Sequence, residues 1–413
     1  MPTYDFDNVD EAALRASPSS KWNRHDADVL PAWVADMDFR VAPPIDAAVR
    51  AIADSGLHLY PRSSTYDNVA LAYAERSRSR WGVEADPELV FNVSEIVQAM
   101  HAATLAFSEP GDGVLILTPV YPPFLAVPLD QRRVMIEHRM AARDHMYTFD
   151  FETLRAQVEA TRPKVFLLCN PHNPVGRVFT HAELRALSEL VIEFDMICVA
   201  DEIHSDLVFE PHRHVVFASL GQDVASRTIT LTSASKAFNL AGLRCAVMGF
   251  GSASLKERFE SVVPEAILGK PSTAGMVATV AAWRECDDWL AACVAHLDGN
   301  RRYVVGEVAR RLPGVRCIEP EGTYLAWLDF TAVGGDVAAA DSVAVGSVGD
   351  SVAAADSVAV GSVGERLREE GRVALNDGPT FGTGLESFAR LNFATSRPIL
   401  TRVIDRIEAW VKR

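Results

Sequence analysis

TITLTSASKAFNLAGLR, residues 228–244, is the stretch on which the reading of the whole chain turns. It opens with an apolar, β-branched run, Thr228 to Thr232, of the kind that forms a strand buried on both faces. It then passes through Ser233 and Ser235 to Lys236, and ends at Arg244. A lysine at a strand end can form a Schiff base with a carbonyl compound, while neighbouring hydroxyls and an arginine hold a phosphate. A solvated surface lysine would be the plainer reading of Lys236 alone. The full spacing S-x-S-K-x-x-x-x-x-G-x-R favours the chemical one.

Working outward, similar short apolar runs recur: VLILT (Val114 to Thr118), VFLLC (Val165 to Cys169), MICVA (Met196 to Ala200) and CAVMGF (Cys245 to Phe250). Amphipathic segments separate them. In THAELRALSELVIEF, Thr180 and Glu183 form a capping box, and Leu184, Leu187, Leu190 and Val191 recur at helical spacing. This alternation predicts an α/β fold with a mostly parallel central sheet and helices on both faces. From about Cys286 the pattern changes. A helix over about Asp287 to Leu312, strands in YLAWLDF (Tyr324 to Phe330) and ARLNFAT (Ala389 to Thr395), and a helix from about Ile399 to Val411 read as a smaller α+β domain. The expected division is an N-terminal segment over 1–44 packing on the small domain, a large domain over 45–285, and the small domain over 286–413. Val337 to Gly349 reads VAAADSVAVGSVG, and Val352 to Gly364 repeats it unchanged. Two copies are too few for a solenoid. The region 336–364 is expected to be a duplicated low-complexity surface loop, since lengthening a loop costs little.

Three further motifs fall where strands end, the place at which α/β sheets bind ligands. ADEIHSD puts Asp201 directly after a strand, where a carboxylate can keep a pyridinium nitrogen protonated. A helix cap or a buried ion pair would also explain it. NPHNPVG offers Asn173 as a donor to a ring oxygen, or a plain turn. In VSEIVQAM, Ser94 is expected to cap a helix whose first N–H groups, near Ile96 and Val97, could meet a phosphate. HRH at His212 to His214 lies near Glu210, but without a convincing ligand set it reads as a solvated loop and no metal is expected.

Composition sets outer limits. The 413 residues carry 40 Lys and Arg against 55 Asp and Glu, a net charge of −15, which argues against nucleic acid or an anionic membrane as partner. MPTYDFDNVDEAALR has no basic and apolar leader pattern, and no stretch approaches the ~20 apolar residues of a membrane span. Six cysteines without a C-x-x-C pair fit a reducing, cytoplasmic setting.

In the order and spacing of NPHNPVG, DEIH and SASKAFNLAGLR, the chain resembles the fold-type I pyridoxal-phosphate enzymes of the aminotransferase class I/II superfamily. The resemblance runs from about Lys21 to the C-terminus. LPAWVADMDF (Leu30 to Phe39), TPVYPPF (Thr118 to Phe124) and His204 in DEIH make it most similar to the PatB/MalY group of cystathionine β-lyase-like C–S lyases. The resemblance implies pyridoxal 5′-phosphate as cofactor. It also implies Lys236 as Schiff-base lysine and proton carrier, Asp201 as partner of the ring nitrogen, and Asn173 as donor to the ring oxygen. Tyr121 would stack on the ring. Ser233, Ser235, Arg244 and the N–H groups of Ile96 and Val97 would hold the phosphate. Arg390, with Asn173 and Ala35, would bind the substrate, Arg390 clamping its α-carboxylate. Tyr60 would reach a neighbouring subunit's phosphate, which implies a homodimer with shared active sites. The implied reaction is β-elimination of L-cystathionine or a related cysteine S-conjugate to a thiol, pyruvate and ammonia. Transamination between an amino acid and a 2-oxo acid is the alternative, because the same residues serve both. A regulatory binding protein is a third, motivated only by the duplicated acidic segment.

Overall fold

The computed structural model describes residues 4–143, 145–333 and 361–413. Its centre is a seven-stranded sheet. In spatial order the strands are Val90–Val93, Ala246–Phe250, Thr228–Thr232, Ile197–Asp201, Val165–Cys169, Gly113–Thr118 and Val134–Arg139. All run parallel except Ala246–Phe250, which is antiparallel to both neighbours. The edge strands Val90–Val93 and Val134–Arg139 did not stand out in the sequence. Only Val93 of the first is buried, and the second alternates exposed and covered positions, so neither shows a continuous apolar run.

Why the central strands are apolar throughout is visible in their packing. Val114 and Ile116 join one core cluster with Val165 and Leu167, while Leu115 and Leu117 join another with Phe166 and Leu168. Both faces are covered by helices, so alternate residues all lie in a core, each fully buried side chain worth roughly 1.5–3 kcal/mol. The helix His181–Glu193 packs on one face through Leu184, Leu187, Leu190 and Val191. Its capping box is formed: the Glu183 N–H donates to Thr180 Oγ1 at 3.2 Å, and the Thr180 N–H to Glu183 Oε2 at 2.8 Å.

A second, antiparallel sheet takes the order Arg316–Cys317, Leu325–Asp329, Phe388–Asn392 and Asn376–Asp377. The helices Asp287–Arg311 and Arg397–Val411 accompany it, at nearly the places the sequence suggests. The N-terminal strand Leu30–Pro31 pairs with Val373–Ala374, and the following turn is tied to the second sheet by the Asp38 N–H donating to Ala394 O at 3.0 Å. These contacts carry Trp33 to Asp36 across to the large sheet.

Most of the duplicated segment lies outside the described residues, but its last four do not, and they are no simple surface loop. Ser362 caps the helix Val363–Glu369, accepting the Glu365 N–H and donating to Asp377 Oδ2 at 2.7 Å. Val363 is buried in the core beside it. The end of the second copy has core partners that a composition of Ala, Val, Gly and Ser does not advertise.

Candidate active site

One rim collects the motifs. Asp201 ends its strand, and Ile96, Tyr121, Asn173 and Lys236 each follow the carboxyl end of a parallel strand. Arg244 precedes the antiparallel strand, so the reversal of that strand brings its beginning to the same rim. Beneath Trp33 to Asp36 these residues enclose a cavity of about 290 Å³. Its lining includes Asp201, Asn173, Tyr121, Ser233, Ser235, Lys236, Arg244, Ile96, Val97, Ala35 and Arg390, which are all the sequence candidates but one. Tyr60 is the exception: its side chain is wholly exposed and it borders a separate open groove.

Lys236 follows Ser235 in the short helix Ala234–Ala237, and its Nζ donates to Ala35 O at 2.9 Å. Tyr324 Oη donates to the same carbonyl at 2.7 Å, so the Ala35 backbone is a fixed point under the lysine. Burial lowers the Lys236 pKa, opposed by the carboxylate of Asp36 and reinforced by Arg390. Asp201 is 5 % exposed and accepts the Ile203 N–H at 3.1 Å. Burial pushes its carboxyl up to about 7, against the lowering effect of that hydrogen bond. His204 is buried with Nδ1 unpartnered, and burial next to Lys236 and Arg390 drops it to about 3, so its ring is neutral at ordinary pH. Tyr121 is pushed up to about 12 by burial and remains a neutral phenol.

Arg390 comes from the second sheet and is 1 % exposed. Its Nη1 donates to Asn173 Oδ1 at 2.9 Å and its Nη2 to Trp33 O at 2.8 Å, while Nε has no partner. Among the described residues no carboxylate pairs with it. Burial without a counter-charge lowers its pKa to about 10. A buried cation held only by neutral groups is a seat for an anion brought from outside. The bond to Arg390 uses the Asn173 carbonyl and leaves that residue's amide nitrogen without a described protein partner.

Three details depart from the sequence reading. Ser94 does not cap the helix Ile96–Phe107: Glu95 stands at the cap, and the Ser94 hydroxyl donates to Lys270 O at 3.2 Å. The Ser233 hydroxyl is already engaged, accepting the Ser235 N–H and donating to Cys245 O at 2.6 Å. His214 is no solvated residue, because its Nε2 meets Glu202 Oε2 at 3.1 Å in a buried pair. Among the described residues no group of three or more His, Cys, Asp or Glu is placed to hold a metal ion. Sequence reasoning missed Asp36, Glu95 and Asn376 as lining residues. Asp36 and Glu95 sit inside motifs that were singled out, while nothing local marks Asn376.

Residues 34–407 match the family model described as aminotransferase class I and II. The cystathionine beta-lyase PatB of Bacillus subtilis is 32% identical over 412 residues, covering 98% of this chain and 99% of that one. The cystathionine beta-lyase of Corynebacterium glutamicum is 33% identical, covering 95% of this chain and 97% of its own. Cystalysin from Treponema denticola, whose crystal structure contains pyridoxal 5′-phosphate, superposes with a TM-score of 0.86 at 28% identity, covering 100% of this chain and 99% of that one.

Proposed function

Since the chain belongs to the aminotransferase class I and II family, we propose that it is a pyridoxal-phosphate-dependent carbon–sulfur lyase. Its reaction is the β-elimination of L-cystathionine, or a related cysteine S-conjugate, to homocysteine or another thiol, pyruvate and ammonia. The observation that carries the reading is one cavity holding a buried lysine, a buried carboxyl at a strand end and a buried arginine with no counter-ion. The full-length lyase relatives favour elimination over transamination.

The donor set fits the cofactor. Burial penalises the charge of Asp201 and pushes its carboxyl up to about 7, and a cationic ring nitrogen is the partner that would ionise it. The free amide nitrogen of Asn173 would donate to the ring oxygen, and Tyr121 would cover the ring's face. Ser235, Arg244 and the first N–H groups of the helix Ile96–Phe107, which have no intrahelical acceptor, would hold the phosphate. When bound, the cofactor supplies an electron sink conjugated with the substrate's α-carbon.

The protein's own groups then do the rest. Arg390 grips the substrate carboxylate with its planar fork, and its bonds to Asn173 and Trp33 fix the fork's direction. Held there, the substrate presents its α-C–H towards Lys236, an alignment worth several kcal/mol. Lys236 Nζ, whose proton affinity burial has reduced, takes the α-proton. The C–S bond breaks as the thiolate leaves, the same amine would return its proton to the thiolate, and water hydrolyses the released enamine to pyruvate and ammonia. His204 stays neutral beside the lysine and so adds no charge when Lys236 becomes ammonium.

The same reading makes the protein a homodimer in which Tyr60 reaches the partner's phosphate. Its support is the full exposure of Tyr60 together with Leu57 at 65% and Leu59 at 72%, an apolar stretch unusual on a free surface. A cytoplasmic setting agrees with cysteines that are all free. Incubation with L-cystathionine and pyridoxal phosphate tests the activity. Pyruvate and free thiol should appear together without an oxo-acid acceptor. Glutamate formation from 2-oxoglutarate in their place would make the protein an aminotransferase.

A further inference from the structure

Across the mouth of the cavity, Arg244 Nη1 is bonded to the carboxylate of Glu95. Neither residue can easily retreat at the backbone. Arg244 closes a short helical turn, Ala241–Leu243, in the left-handed conformation with φ 52°. Glu95 is the cap residue of the helix Ile96–Phe107, whose start is pinned on two sides: Ser94 Oγ to Lys270 O at 3.2 Å, and Gln98 Nε2 to Ile267 O at 3.2 Å. Glu95 lines the same cavity as the helix N-terminus, Ser235 and Arg244. Every one of those groups attracts an anion, and Glu95 is itself one.

We propose that Glu95 is an internal stand-in for the cofactor's phosphate, holding Arg244 while the site is empty and yielding it when the phosphate enters. The inference rests on the cofactor reading above. Entry of the phosphate has to break the Glu95–Arg244 pair and turn the carboxylate outward, since two anions at one helix terminus repel. Both side chains are more than a third exposed, so the exchange needs only rotation in solvent and its penalty is modest. The Glu95–Arg244 pair is thereby neutral and keeps the phosphate-binding arginine in place, while the bound form carries a repulsive neighbour. Glu95 thereby lowers cofactor affinity.

The test is equilibrium binding of pyridoxal 5′-phosphate, and separately of pyridoxal, to the full chain and to Glu95→Gln, followed by absorbance of the bound chromophore. Glu95→Ala serves as a second variant should the first fold poorly. The phosphorylated ligand should bind about two- to five-fold more tightly to the variants, as expected for loss of one exposed competing charge. Pyridoxal, which has no phosphate to compete, should bind equally to all three. Unchanged or weaker phosphate-ester binding in the variants overturns the stand-in role, as does an equal gain for both ligands. Absence of any bound chromophore in the unaltered chain would instead overturn the cofactor reading, and the stand-in with it.

Discussion

Replacing Arg390 with Met should leave the stability of the substrate-free protein nearly unchanged and the enzyme nearly inactive. The guanidinium is 1 % exposed, and its pKa is lowered from 12.5 to about 10 because burial finds no counter-charge. At 1.36 kcal/mol per pKa unit that is about 3 kcal/mol of burial penalty on the guanidinium. Methionine removes it, but strips a charge-assisted hydrogen bond from each of Asn173 Oδ1 and Trp33 O, at about 1.5 kcal/mol apiece, and the cation–π contact with Phe381 at 5.0 Å. The two sides roughly cancel, so the melting temperature should stay within a few degrees. The balance holds with pH, because the folded-state value lies below the unfolded one and both are far above neutrality, so the penalty is fully present below about pH 10 and the effect of the substitution should be flat from pH 6 to 9. Loss of a bidentate, charge-assisted clamp on the substrate carboxylate costs about 3–5 kcal/mol, lowering kcat/KM by about 10²–10⁴. Thermal melts of substrate-free protein and pyruvate release from L-cystathionine read the two effects. A variant that melts several degrees lower, or keeps kcat/KM within ten-fold, would refute the picture of Arg390 as an uncompensated cation waiting for its anion.

Lys236→Ala should abolish turnover while leaving the melting temperature within a few degrees, because the side chain's single hydrogen bond is to Ala35 O; sustained pyruvate release by the purified variant would remove Lys236 from the chemistry. Burial holds the folded-state pKa of Asp201 near 7, above its unfolded value of 3.8, so this group favours the cofactor-free fold at low pH. That contribution should fall as pH rises from about 4 to 7 and level off above, and Asp201→Asn should lose this slope in denaturant melts while its lyase activity drops at least a hundred-fold. Ser362→Ala should cost about 1–2 kcal/mol, since it removes a helix cap and the partner of the buried Asp377; urea titration showing no change would mean that the end of the duplicated segment contributes nothing to the fold.

What could be read from sequence was whatever is encoded locally. The runs Val165–Cys169 and Thr228–Thr232 are strands with the limits their composition suggests, because both faces of each are buried and every residue reports it. The Thr180 and Glu183 box sits within four residues and specifies its own helix start. Lys236, Asp201 and Asn173 were legible because each is placed by its distance along the chain from the end of one strand. The rest depends on distant partners. Ser94 looks like a cap in its own heptad of sequence, but the backbone of Lys270, 176 residues away, claims its hydroxyl. His214 reads as polar loop until the fold brings Glu202 beneath it. Arg390 stands in an ordinary strand; only the approach of the second sheet to Trp33 and Asn173 strips it of water without supplying a carboxylate. The identity of the side chains is a property of the sequence, whereas their charge state and freedom to bind follow from burial, and burial is decided by which elements meet.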